Sequence, residues 1–106
     1  MYTIKENSKY ELIVKNSRFI TLLYKVSSWG DALDILDKVR EEYPDATHYC
    51  YGFIADEVER CSDDGEPSGT AGMPILKVLK ANNLNYILGI VIRYFGGIKL
   101  GAAGLI

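Results

Sequence analysis

Hydrophobic and polar positions follow two rhythms along this chain of 106 residues. Tyr10-Glu11-Leu12-Ile13-Val14 and Arg18-Phe19-Ile20-Thr21-Leu22-Leu23-Tyr24 are rich in β-branched and aromatic residues, and they predict two strands. Lys15-Asn16-Ser17 stands between them as a turn or bulge. The apolar stretch around Phe19 to Tyr24 predicts burial on much of both faces. From Ser28 the rhythm changes. Trp29, Ala32, Leu33, Leu36, Val39 and Tyr43 recur at helical spacing, while Asp31, Asp34, Asp37, Lys38, Arg40 and Glu41 fall on the solvated side. Ser28 and Asp31 make the S-x-x-D variant of a capping arrangement, and Pro44 ends the helix.

Alternation returns from Thr47 to Ala55, with Thr47, Tyr49, Tyr51, Phe53 and Ala55 on one side and His48, Cys50, Gly52 and Ile54 on the other. Asp56 to Glu66 is polar and reads as an exposed connection. A second helix follows, capped by Thr70 or Ser68, with Met73, Leu76, Val78 and Leu79 on its apolar side. Pro74 falls in its first turn, where a missing N–H does least harm. Asn82-Asn83 stops it, because asparagine tolerates the left-handed conformation. Tyr86 to Phe95 is an almost continuous apolar run and predicts a central strand. Gly101 to Ile106 opens a third helix. Together these elements predict an α+β sandwich of two layers, a mixed or antiparallel sheet with its helices on one face.

Length and composition then narrow the picture. The chain is one domain, 48% apolar and 25% charged, and no apolar run approaches the ~20 residues needed to span a bilayer. The first residues carry no signal-peptide pattern, which makes the cytoplasm the expected compartment. Cys50 and Cys61 form no CxxC pair; both read as reduced thiols, with Cys50 in the core. Charge is uneven. Asp56 to Glu66 holds six acids and one base, whereas the remainder holds eleven bases against eight acids. A strongly basic nucleic-acid footprint is absent, and a local basic face remains open.

Several groups carry candidate chemistry, each beside a plainer reading. Arg93 suits an anion or phosphate contact, or an ion pair with Asp63, Asp64 or Glu66. Gly96-Gly97-Ile98-Lys99-Leu100-Gly101-Ala102-Ala103-Gly104 joins a strand to a helix start, where backbone N–H groups hold phosphate or glycines allow tight packing. It matches neither the Walker nor the Rossmann spacing. Asp63-Asp64-Gly65-Glu66 offers oxygens to a divalent cation or forms a solvated turn. Ser68 and Thr70 add hydroxyls for a ligand or a cap. His48 has no legible nucleophile to serve. Tyr49, Tyr51 and Phe53 form either a stacking platform for bases or core beneath a helix. No catalytic residue, metal site or cofactor is assigned.

Ser62 to Gly72 and Arg93-Tyr94-Phe95-Gly96-Gly97-Ile98-Lys99-Leu100-Gly101 resemble the signature of the IMPACT N-terminal family, which includes bacterial YigZ-like proteins. Lys15-Asn16-Ser17-Arg18-Phe19-Ile20 and Pro44-Asp45-Ala46-Thr47-His48 resemble its weaker motifs. The resemblance implies a ribosomal protein S5 domain 2-like fold, which also occurs in elongation factor G and the ribonuclease P protein. It implies that residues 1–106 are a single domain cut short in its final helix, before a second small domain. It further implies a non-enzymatic regulatory domain connected with translation, contacting RNA, the ribosome or a protein partner. Eukaryotic relatives are implicated in regulating translation through a protein partner of a stress kinase. On this reading Asp63, Asp64, Glu66, Ser68, Thr70, Arg93, Gly96, Gly97 and Lys99 are the candidate binding surface. The alternative is a phosphate, nucleotide or metal binder, or an enzyme, using the acidic loop, Arg93 and the glycine junction.

Overall fold

The structure, a computed structural model, describes residues 6–14, 17–65, 69 and 71–94. Its strands are β1 (Ser8–Val14), β2 (Ser17–Lys25), β3 (His48–Ala55), β4 (Val58–Ser62) and β5 (Ile87–Tyr94); its helices are α1 (Trp29–Glu42) and α2 (Gly72–Ala81). All strands join one antiparallel sheet in the order β1-β2-β5-β3-β4. The α+β class and the central place of the last strand are as the sequence predicts. The turn expected at Lys15 and Asn16 lies outside the described residues, between Val14 and Ser17, which pair with each other.

β4 falls where the sequence reads as a polar loop. Val58-Glu59-Arg60-Cys61-Ser62 carries charge because it is an edge strand whose outer side faces water, and charge at an edge blocks unwanted pairing. Its ladder with β3 runs from Ala55↔Val58 to Tyr51↔Ser62, so Asp56 and Glu57 close the hairpin. Asp56 takes a left-handed φ of 58° there, and its N–H donates to Asn85 Oδ1 at 2.8 Å.

The helices lie on opposite faces, which corrects the single helical layer. α1 covers the face formed by Ile20, Leu22, Tyr49, Phe53, Leu88, Ile90 and Ile92, inserting Ala32, Leu36 and Val39. α2 lies on the other face, where Leu76 and Leu79 meet Ile54 and Ile87. The physical reason is a flat floor. Gly52 and Gly89 oppose each other in the β3–β5 ladder and present no side chain towards α2. A Cβ on Gly52 would stand 2.8 Å from the Leu76 backbone nitrogen. Helix backbone therefore rests directly on sheet backbone at this point.

Local chemistry sets both helix ends. The Ser28 hydroxyl accepts from the Asp31 N–H at 3.1 Å, and Asp31 Oδ2 accepts from the Ser27 N–H at 3.0 Å, so the expected cap forms reciprocally. Asn83 closes α2 in the left-handed region at φ 56°.

Candidate functional site

The acidic loop leaves β4 beside the first residues of β3, and its carboxylates turn inward to backbone amides. Asp63 Oδ2 accepts from the Gly69 N–H at 2.9 Å. Asp63 Oδ1 accepts from the N–H groups of Ala71 at 3.0 Å and Gly72 at 2.7 Å. Those amides open α2, so a loop aspartate caps the helix. Its N-cap residue, Ala71, makes no side-chain bond. The amides of Gly69, Gly72 and Ala71 hold the Asp63 carboxyl below its ordinary range.

Asp64 ties the loop to β3. Its Oδ2 accepts from the Tyr49 N–H at 2.7 Å, and its own N–H donates to the Ser62 hydroxyl at 3.1 Å. The Asp64 carbonyl lies 2.7 Å from His48 Nδ1, which must carry the proton because a carbonyl can only accept. Cys50, buried as expected, points its thiol at the Asp63 carbonyl, 3.3 Å away. Asp64 and Gly65 take positive φ angles of 47° and 89° to turn the chain. Among the described residues, no group of three or more His, Cys, Asp or Glu is placed to hold a metal ion.

Arg93 and His48 are direct partners across the β5–β3 ladder, on the α2 face of the sheet. On its other side Arg93 pairs with Phe19 of β2, and its guanidinium lies 5.7 Å from the centre of that ring. The expected ion pair named Asp63, Asp64 or Glu66; the first two carboxylates accept from backbone amides as described. Glu66, Ser68, Thr70, Gly96, Gly97 and Lys99 lie outside the described residues. Of the candidate surface, the structure brings together Asp63, Asp64 and, through His48, Arg93.

A second cluster lies on the opposite face, around the last turn of α1. Lys9 stands over the Tyr43 ring at 5.6 Å, Arg18 over Tyr94 at 5.3 Å, and Arg40 over Tyr49 at 4.8 Å. The Tyr49 hydroxyl donates to the Tyr43 carbonyl at the end of the helix, tying two of these rings together. Tyr43 raises the Lys9 ammonium above its ordinary range through a hydrogen bond. Arg18 donates from Nε to Glu11 at 2.6 Å, and this pair drives the Glu11 carboxyl down. Further along the same face, Arg60 of β4 stands 4.8 Å above Trp29, which packs on Phe53 and Tyr51. Tyr49 and Phe53 are buried in the α1 core, so they are no open stacking platform. The exposed chemistry is the cations that stand over these rings. Lys9, Arg18, Arg40 and Arg60 come from four different elements, and only the folded register brings them to this face.

Residues 15–106 match the Impact N-terminal domain. The chain is 44% identical over 108 residues to the IMPACT family member YvyE of Bacillus subtilis, covering 99% of this chain and 50% of that protein. It is 43% identical over 98 residues to the IMPACT family member YigZ of Escherichia coli, covering 88% and 48%. The chain thus spans about half the length of the curated relatives it matches. A crystal structure of a hypothetical protein superposes with a TM-score of 0.87 at 38% identity, over 93% of this chain and 50% of the other. The two-domain translational regulator Yih1 superposes with a TM-score of 0.63 at 21% identity, over 95% and 42%, a likeness of fold.

Proposed function

We propose, starting from the fact that this chain belongs to the Impact N-terminal domain family, that it is a non-catalytic regulatory domain of translation which works by contacting the ribosome or structured RNA. The observation that carries this reading is the combination of that family with the fold of a protein described as a translational regulator. The site geometry supports a binding role. Asp63 and Asp64 have their carboxylates occupied by backbone N–H groups, which suits a brace for α2 better than a metal ligand or general base. Lys9, Arg18 and Arg40, each held over a tyrosine, form the contact surface on this reading. A cation positioned on a ring keeps its stem packed and its head at the surface, and Arg18 must in addition give up its Glu11 partner to meet a phosphate.

Co-sedimentation of the full chain with ribosomes, at low and moderate salt, tests this. Binding is expected at low salt and is expected to fall as salt rises, because bound counterions are released. Arg18→Ala and Arg40→Ala each reduce the steepness of the salt dependence by about one in log–log slope. Absence of binding at every salt concentration, or binding indifferent to both substitutions, rejects this surface and favours a protein partner.

A further inference from the structure

β1 is an edge of the sheet: among the described residues its ladder is with β2 alone, and its outer side meets no strand. Such an edge presents a row of backbone N–H and C=O groups that can pair with another strand, and folded chains blunt it with charge, shortness or a bulge. β4, the other edge, is five residues long and ties Glu59 to Lys80 of α2 at 3.2 Å. β1 is seven residues long, and its register with β2 runs from Ser8↔Leu23 to Val14↔Ser17 without a bulge. Tyr10 is 66% exposed, and Leu12 and Ile13 are exposed beside it. This edge is long, regular and apolar at its tips, with charge only at Lys9 and Glu11.

We propose that β1 pairs antiparallel with β1 of a second copy of this chain, across a two-fold axis at Tyr10, joining two five-stranded sheets into one. The order of charges along the strand selects this occupant and this register. Residues directly opposite in a ladder share a face, and a two-fold axis makes every contact occur twice. An axis at Tyr10 sets Lys9 opposite Glu11 of the second copy, and Glu11 opposite its Lys9, on the face that carries α1. Glu11 already holds Arg18 through both oxygens, at 2.6 and 3.3 Å, and its carboxylate has lone pairs left for the incoming ammonium. On the opposite face Tyr10 meets Tyr10 of the second copy and lies diagonal to its Leu12. An axis at Lys9 or at Glu11 would set like charges directly opposite each other, which is destabilising. β4 fails the same test, since an axis at Glu59 opposes two acids and one at Arg60 opposes two bases. Pairing β1 with β4 of another copy would leave an edge free at each end, whereas the two-fold uses both β1 edges and closes. Arg18 and Arg40, the cations whose substitution tests the ribosome contact, lie on β2 and α1, outside the seam.

Sedimentation velocity of the full chain over a concentration series tests this, and the outcome is read from mass without any RNA. The seam is one strand wide on each side, so the dimer mass is expected to replace the monomer mass as concentration rises. Lys9→Glu and Glu11→Lys change exposed side chains and leave the core untouched. Each sets like charges across the seam, so each variant alone is expected to stay monomeric with a natural circular dichroism spectrum. In an equimolar mixture the two acids of one chain face the two bases of the other, and the dimer mass is expected to return. A natural chain that is monomeric at every concentration up to saturation overturns the proposal. So does a dimer that either variant leaves intact, because its seam then lies elsewhere. A mixture of the variants that stays monomeric overturns it equally.

Discussion

Gly52→Ala probes the contact on which the α2 side of the molecule rests. The substitution places a methyl group 2.8 Å from the Leu76 nitrogen and 3.1 Å from the Leu76 Cα. Both are helix backbone atoms and cannot rotate aside, so α2 must lift from the sheet or the strand must bend. Overpacking of this kind costs about 1–3 kcal/mol. Alanine also restricts the unfolded chain, which offsets about 0.4–1 kcal/mol. The net loss is then about 1–2 kcal/mol, a fall of several degrees in Tm for a domain of this size. Gly30→Ala is the matched control. Its Cβ meets only the Ser28 hydroxyl at 3.8 Å, within the first turn of α1, so the same chemical change should stabilise by about 0.5–1 kcal/mol. Urea unfolding followed by circular dichroism and by the emission of Trp29, the single tryptophan, reads both variants. A Gly52→Ala chain as stable as the natural one or more so, beside a Gly30→Ala chain that gains stability as expected, would rule out a tight backbone contact between α2 and the sheet.

Other substitutions test the remaining contacts. Asp63 has a lowered folded pKa, so its capping contribution is complete above the ordinary carboxylate value of 3.8 and is lost as pH falls through the folded value. Asp63→Asn should therefore unfold at lower urea than the natural chain at pH 7, with the gap narrowing as pH drops below 3.8; an equal gap at every pH contradicts a charge-based cap. Phe53→Ala removes a fully buried ring 5.0 Å from the Trp29 ring, and should cost about 3–5 kcal/mol with a red shift in Trp29 emission. Tyr49→Phe deletes the hydroxyl that donates to the Tyr43 carbonyl and should lower stability by about 0.5–1.5 kcal/mol in thermal unfolding.

Much of this architecture is written in local pattern. The helical stripe from Trp29 to Val39, the Ser28–Asp31 cap and the apolar run of β5 each follow from spacing that a single element imposes on itself. β4 is hidden because an edge strand whose side chains face water loses the alternation that identifies strands. The placement of α2 is hidden for a different reason. Gly52 and Gly89 are visible as interruptions in two strands, yet their meaning depends on a register that makes them opposite neighbours. The acidic loop shows the same dependence. Its composition reads as a recognition surface, and only the arrival of the Gly69, Ala71 and Gly72 amides reveals Asp63 as a brace. Arg93 is legible as unusual, but its neighbours Phe19 and His48 come from strands far away in sequence.

Fluorescence polarisation of labelled structured RNA with the full chain, at two salt concentrations, tests the proposed role most directly. Polarisation is expected to rise with protein at low salt, to weaken steeply at high salt and to be reduced in a chain carrying both Arg18→Ala and Arg40→Ala. Polarisation that stays flat at both salt concentrations, or that the paired substitution leaves unchanged, would contradict it.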